Sequence, residues 1–110
     1  MWGTQGTKGT PMLRHVVLLT WTDAATGEQV AEIARRLREL PAAIPEIRSY
    51  HCGDDLGTNP ANADFVVTAD FDSVDDYVVY RDHPQHRKVI DELISPILAS
   101  RLGAQFPLGG

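Results

Sequence analysis

The chain has 110 residues, with 15 acidic and 10 basic side chains and a formal net charge of -5. This length suits one domain with a single modest core, and the acidic balance leaves no basic patch of the kind that binds nucleic acid. The single cysteine, Cys52, excludes an intramolecular disulfide and a cysteine-cluster metal site, which agrees with a reducing compartment.

Residues 1–11, MWGTQGTKGTP, contain no apolar run that would act as a secretory signal. No stretch of about 18 consecutive apolar residues offers a membrane span. We therefore expect a cytoplasmic protein without membrane contact. The Gly/Thr-rich composition of residues 1–11 predicts a flexible N-terminal tail, followed by a single domain over residues 12–108.

Residues 13–21, LRHVVLLTW, predict the first strand, because β-favouring apolar residues run through the segment almost without interruption. Side chains alternate along a strand, so His15 and Leu19 share one face whereas Val16 and Leu18 share the other. Both faces of this strand are therefore suited to burial.

The next predicted element is a helix that begins after Thr26 and ends near Pro41. Gln29 follows Thr26 at the spacing of a capping box, in which each residue satisfies a free backbone N–H of the other. Ile33 and Leu37 recur at helical spacing and predict the buried face of this helix.

Five further elements, three strands and two helices, are predicted from residue 47 onward. Residues 47–52 and 64–71 predict two strands, joined by a loop rich in Gly, Asp and Asn. Ser73 predicts the cap of a helix reaching about residue 81, and Pro84 the first turn of a helix reaching about residue 94. A weaker pattern over residues 101–108 predicts the last strand.

The element order β-α-β-β-α-β predicts an α+β fold of ferredoxin-like type, with a four-stranded antiparallel sheet and helices on one face. Helices can cover only one side of such a sheet, yet the first and third strands carry apolar residues on both sides. An uncovered apolar face predicts a partner, and a twofold homodimer is the simplest one.

Three segments in this order and spacing resemble the stress-responsive dimeric α/β-barrel family, often called the Dabb domain: LRHVVLLTW, ADFVVTADFDSVDDYVVY and HPQH. The resemblance covers about residues 12–108. It implies a ferredoxin-like protomer whose sheet packs against its twofold mate to close a dimeric α/β barrel. The family includes plant stress proteins, bacterial proteins of unknown function and cofactor-free polyketide cyclases, so the fold leaves the function open.

In the cyclase members, a tyrosine matching Tyr80 and a histidine matching His86 form the working pair inside the barrel. The chain departs from those cyclases at Phe65, where they have a further histidine, and at Arg81, where they have an apolar residue. Because of these two differences, the resemblance predicts the fold but not the identity of the substrate. The other pocket positions that the resemblance implies are one polar and four apolar residues: His15, Leu19, Ile33, Leu37 and Val67.

His86 would lie in the first turn of the helix that opens at Pro84, where free N–H groups and the helix dipole disfavour a positive charge. We therefore expect a neutral imidazole that can act as a general base, with Tyr80 donating a hydrogen bond to an enolate oxygen. The alternative is a structural role for both residues, in which His86 packs against the first turn of the helix and Tyr80 is a core residue beside Tyr77. His83, which precedes Pro84, is expected at the N-cap.

No metal site or cofactor is predicted. One of the two histidines in HPQH lies outside the helix, so they cannot share one helical face, and no third carboxylate ligand stands close by. The acidic loop over residues 54–64 lacks the spacing of a calcium-binding EF-hand. Phosphate loops, Rossmann fingerprints and serine-hydrolase elbows are absent from the sequence.

Three functions remain open from these residues. The first is a homodimer that binds a small apolar or polyketide-like molecule in the barrel. The second is a cofactor-free cyclase or isomerase of aldol type, in which His86 removes a proton, Tyr80 stabilises the enolate and His15 orients it. The third is a cofactor-free monooxygenase, which would need the same kind of pocket and an electron-rich substrate.

Overall fold

The computed structural model describes residues 12–109, so the tail predicted at residues 1–11 lies outside the described part of the chain. The secondary-structure elements, in chain order, are β1 (Leu13–Trp21), α1 (Gly27–Arg38), α2 (Leu40–Ala43), β2 (Ser49–Asp54), β3 (Phe65–Phe71), α3 (Val74–Asp82), α4 (Pro84–Val89), a π-helical turn (Ile90–Ile94), a 3-10 turn (Ser95–Ile97) and β4 (Leu98–Pro107).

The four strands form one antiparallel sheet in the order β2-β3-β1-β4. The apolar core lies between one face of this sheet and the helices, with Ile33 and Leu37 of α1 facing Val67 and Phe71 of β3 as part of one buried cluster. The predicted ferredoxin-like α+β fold is confirmed.

The start of α1 follows the predicted capping box. Thr26 Oγ1 accepts a hydrogen bond from the backbone N–H of Gln29 at 3.2 Å, and Gln29 Oε1 accepts one from the Thr26 N–H at 2.9 Å. The helix ends at Arg38, earlier than predicted, and Pro41 belongs instead to the first turn of α2. Proline suits that position because its missing N–H would have no partner in a first turn.

The helix that opens at Pro84 is shorter than predicted. Regular α-helix ends at Val89, and the backbone widens into the π-helical turn before a 3-10 turn. Pro96 explains the change, since in a continuous α-helix its ring would collide with the carbonyl of Glu92 and it has no N–H to donate.

Two strand boundaries also differ from prediction. β2 occupies Ser49–Asp54, because its pairing with β3 aligns Ser49 with Asp70 and Asp54 with Phe65. β4 begins at Leu98, before the predicted residue 101, because a register shift at the end of β1 lets Leu98 pair with Trp21.

The second face of the sheet carries no helix. Leu18 of β1 lies opposite Leu102 of β4, and these side chains are 38% and 67% exposed in the single chain. On the same face Arg14 forms a two-pronged ion pair with Asp70, at 2.8 and 3.0 Å. This face, called here the open face, therefore combines apolar side chains with one ordered charged pair.

None of the helices between residues 12 and 109 is long and apolar enough to cross a membrane.

Candidate functional site

A cavity of about 310 Å³ lies between the helix-covered face of the sheet and the segments from α3 to the π-helical turn. It brings together six of the residues expected to form a site: His15, Leu19, Leu37, Val67, Tyr80 and His86. Ile33 does not line this cavity. Its side chain is fully buried in the core, one helical turn before Leu37.

One rung of the sheet carries two of the residues that line the cavity, His15 and Tyr50. Tyr50 of β2 pairs with Ala69 of β3, Ala69 pairs with His15 of β1, and His15 pairs with Gln105 of β4. All four side chains point to the same side, because residues paired across an antiparallel sheet share a face. The small side chain of Ala69 separates two polar groups on a buried surface.

His15 is held as a neutral imidazole with its proton on Nε2. The amide nitrogen of Gln105 donates to Nδ1 at 3.0 Å, so Nδ1 must accept and the ring proton resides on the other nitrogen. The pKa of His15 is lowered to about 4, mainly by burial, and electrostatic interactions with Arg101 and His86 contribute to the same shift. His15 can thus offer an N–H donor without carrying a charge.

His86 is also neutral but has the opposite tautomer. Its Nδ1 lies 3.1 Å from the backbone carbonyl oxygen of Arg81, which can only accept, so the proton resides on Nδ1 and Nε2 keeps a free lone pair. Burial lowers the pKa of His86; the hydrogen bond to Arg81 opposes this effect, and the charges of Arg87 and Arg101 add to it. The neutral state expected from the helix start is therefore explained mainly by burial.

Tyr80 packs directly against His86, with ring centroids 4.1 Å apart and an interplanar angle of 30°. Its hydroxyl lies 3.0 Å from the hydroxyl of Tyr50. Burial raises the pKa of Tyr80 to about 12, although the hydrogen bond from Tyr50 lowers it in part. Burial and the neighbouring Tyr80 raise the pKa of Tyr50 further still. Either hydroxyl can be the donor of this bond; where Tyr50 donates, the Tyr80 hydroxyl proton is free for a ligand.

Several residues that line the cavity were not predicted as site residues, among them Tyr50, Tyr77 and Arg101. The ring centroid of Tyr77 lies 4.8 Å from that of His15. A signal for Tyr50 was available in the sequence, since its alternation with Cys52 places it on the helix-covered side of β2. Arg101 had no such signal, because its position depends on the pairing of β4 with β1.

His83 lies at the N-cap of α4, as predicted, where its Nδ1 accepts a hydrogen bond from the backbone N–H of Gln85 at 3.1 Å. The thiol of Cys52 lies 3.9 Å from the carbonyl oxygen of Ala34, and burial raises its pKa. Between residues 12 and 109 no three His, Cys, Asp or Glu side chains are grouped so that they could hold a metal ion.

A second, more open cleft of about 500 Å³ lies beside α1. Two of its charged side chains already have partners within the fold: Asp64 accepts from the backbone N–H of Trp21 at 2.8 Å, and Arg38 donates to the carbonyl of Cys52 at 2.9 Å. No histidine or tyrosine lines it. The cavity around His86 is therefore the better candidate for chemistry.

Comparison with known proteins places this site in context. The chain is similar to a dimeric ferredoxin-like protein of unknown function from Thermobifida fusca, with 42% identity, a TM-score of 0.82 and coverage of 94% of this chain and 97% of that one. The hydroxynitrile lyase of Passiflora edulis shares the fold, with 20% identity, a TM-score of 0.78 and coverage of 89% and 94%. An uncharacterized protein of Streptomyces coelicolor is 27% identical over 78 residues, which are 69% of this chain and 80% of that protein.

The family model for the stress responsive A/B barrel domain, Dabb, matches residues 13–107. This range runs from the first residue of β1 to the last residue of β4 and so takes in every strand and helix described above. The chain belongs to the Dabb family.

Proposed function

We propose that the protein is a homodimer in which each protomer binds one small apolar or aromatic molecule in the cavity between sheet and helices. The composition of the cavity wall carries this proposal. Seven of the fifteen lining residues are aliphatic, among them Leu19, Leu37 and Val67, and neutral His15 and His86 provide directional polar groups. Such a mixture is typical of small-molecule sites.

The open face supports the dimer. Leu18 and Leu102 form an exposed apolar pair there, and the Thermobifida fusca protein that this chain resembles is described as dimeric. Light scattering coupled to size-exclusion chromatography should give the mass of two chains. Leu102→Glu should shift the mass toward one chain, whereas Leu56→Glu, at a loop position that is 90% exposed, should leave it unchanged. A monomeric wild-type protein would contradict the proposal.

Ligand binding can be tested with N-phenyl-1-naphthylamine, a neutral aromatic dye whose fluorescence rises in an apolar site. We expect saturable binding of one dye per protomer. Leu98 is a partly buried residue of the cavity wall, so Leu98→Trp should fill space and weaken dye binding. Leu56→Trp, which adds the same ring on the surface, is the matched control. Equal binding by both variants would place the dye elsewhere.

The opposite tautomers of His15 and His86 support a second function, cofactor-free proton transfer of the cyclase or isomerase type. The free lone pair on His86 Nε2 would remove a proton from carbon next to a ligand carbonyl. Tyr80, whose hydroxyl is hydrogen-bonded to that of Tyr50, would donate to the enolate oxygen that forms while Tyr50 donates to it, and the Nε2–H of His15 would be a second donor. In an aldol closure the enolate carbon attacks a second carbonyl carbon, and the new alkoxide takes the proton back from His86.

Exchange of carbon-bound hydrogen in phenylacetone for deuterium, followed by NMR in D₂O, measures the first of these steps directly. Wild-type protein should accelerate the exchange, and His86→Gln should reduce the acceleration by roughly 100-fold or more, the usual contribution of a positioned base. His83→Asn is the control, because the asparagine oxygen can accept the same N-cap hydrogen bond. Unchanged exchange in His86→Gln would remove the catalytic proposal and leave the binding proposal standing.

A further inference from the structure

The charge of the cavity is opposite to the charge of the protein. The chain carries a net charge of -5, yet the side chains lining the cavity include Arg81, Arg87 and Arg101 and no aspartate or glutamate. A set of positive side chains around an apolar volume raises the local concentration of anions and lowers that of cations.

The three arginines differ in whether their charge is already neutralised. Arg81 forms an ion pair with Asp82 at 2.9 Å, and Arg87 forms one with Asp91 at 3.5 Å. Arg101 has no carboxylate within ion-pair distance among residues 12–109, as the seven ion pairs of this region show. Unlike Arg81 and Arg87, Arg101 therefore has a charge that is available to pair with a charged group of a ligand.

The position of Arg101 in β4 also brings its exposed side chain to the cavity. Arg101 pairs with Leu19, which directs its side chain to the cavity side of the sheet. The guanidinium group then folds over Gly103: a Cβ atom placed on that glycine would lie only 3.1 Å from Nη1 of Arg101. A glycine at this position thus leaves the space that the arginine head group occupies.

We propose that Arg101 recognises a carboxylate on the ligand, so that the protein selects aromatic or aliphatic acids over neutral molecules of the same shape. This inference rests on the proposed binding function and adds the chemical class of its ligand. A planar guanidinium group can hold a carboxylate with two parallel hydrogen bonds, which suits an acid whose apolar body occupies the cavity.

Binding of such an acid would also act on the two histidines. The positive charge of Arg101 depresses the pKa of both His15 and His86 in the free protein. A bound carboxylate would offset that charge and make the lone pair of His86 more basic. An acidic ligand would therefore strengthen the base that faces it, whereas a neutral ligand would not.

The test compares 2-naphthoate with 2-naphthamide, which have the same ring system and differ in charge, by displacement of N-phenyl-1-naphthylamine. Wild-type protein should bind the acid at least about tenfold more tightly than the amide, the effect of one charge-assisted hydrogen-bonded pair. Arg101→Gln should bind both with nearly equal affinity. Arg48→Gln removes the same charge from an ion-paired surface position outside the cavity and should keep the wild-type preference.

The affinity for the neutral amide reports whether Arg101→Gln is still folded around its cavity. An acid-to-amide ratio in Arg101→Gln equal to that of wild type would overturn the inference, and so would equal affinities in wild type. Both results leave the binding function in place. Failure of the wild-type protein to bind the dye at all would instead overturn the binding function, and this inference with it.

Discussion

The pH dependence of stability should report the buried neutral state of His15. The pKa of this residue is about 4 in the folded protein, whereas an exposed histidine has a pKa of about 6.5. Between these values the unfolded chain binds the proton and the folded chain does not, so stability is full above about pH 6.5 and falls as the pH decreases. At about 1.4 kcal/mol per pKa unit, the loss amounts to roughly 3 kcal/mol by about pH 4.

His15→Asn is the variant that isolates this effect. The asparagine oxygen can lie near the position of Nδ1 and accept the hydrogen bond from Gln105, but the side chain cannot be protonated. The lowered pKa of His86 acts in the same direction, so the variant should keep a shallower slope rather than none.

Urea unfolding followed by circular dichroism, at one protein concentration and at several pH values from 7.5 to 4, measures the slope. His51→Asn changes an exposed histidine of β2 and should follow the wild-type curve. Parallel curves for wild type and His15→Asn would refute the reasoning, because they would mean that His15 is protonated to the same degree in both states.

Two further predictions concern the core and the helix start. Phe71→Ala removes a fully buried ring and should lower the free energy of unfolding by about 3–5 kcal/mol, while Leu56→Ala, at an exposed loop position, should stay within about 0.5 kcal/mol in the same urea titration. Thr26→Ala removes one half of the capping box and should lower the free energy of unfolding by about 1 kcal/mol. Thr26→Asn keeps a side-chain acceptor and should lower it by less. Equal losses of stability in the two variants would contradict the capping argument.

Local patterns in the sequence were enough to predict the fold. The capping box at Thr26 and the apolar run of β1 act through neighbouring residues, so their signals survive without knowledge of the tertiary structure. The π-helical turn after Val89 was missed because the apolar spacing continues unchanged through Leu93 and Ile94. Only the backbone response to Pro96 distinguishes the two geometries.

The candidate site was predicted only in part, and from a family resemblance instead of from local sequence patterns. His15, Tyr80 and His86 were found through a family resemblance, and the structure brings them to one cavity. Tyr50 and Arg101 enter the same cavity through strand pairing, which joins residues far apart in the chain. Alternation along β2 indicates only the face on which Tyr50 lies. The register of the sheet, which depends on all of its strands at once, decides that Tyr50 and Arg101 reach the same cavity.

The position of β4 at the edge of the sheet has a consequence for how the cavity opens. Edge strands exchange their backbone hydrogens with solvent through local openings that cost less free energy than unfolding of the whole domain. Leu98, Arg101 and Gln105 all belong to this strand, so one such opening would remove part of the cavity wall, the free positive charge and the hydrogen-bond donor to His15 together. Fraying of this one edge strand would thus couple opening of the cavity to the protonation of a histidine in an inner strand of the sheet.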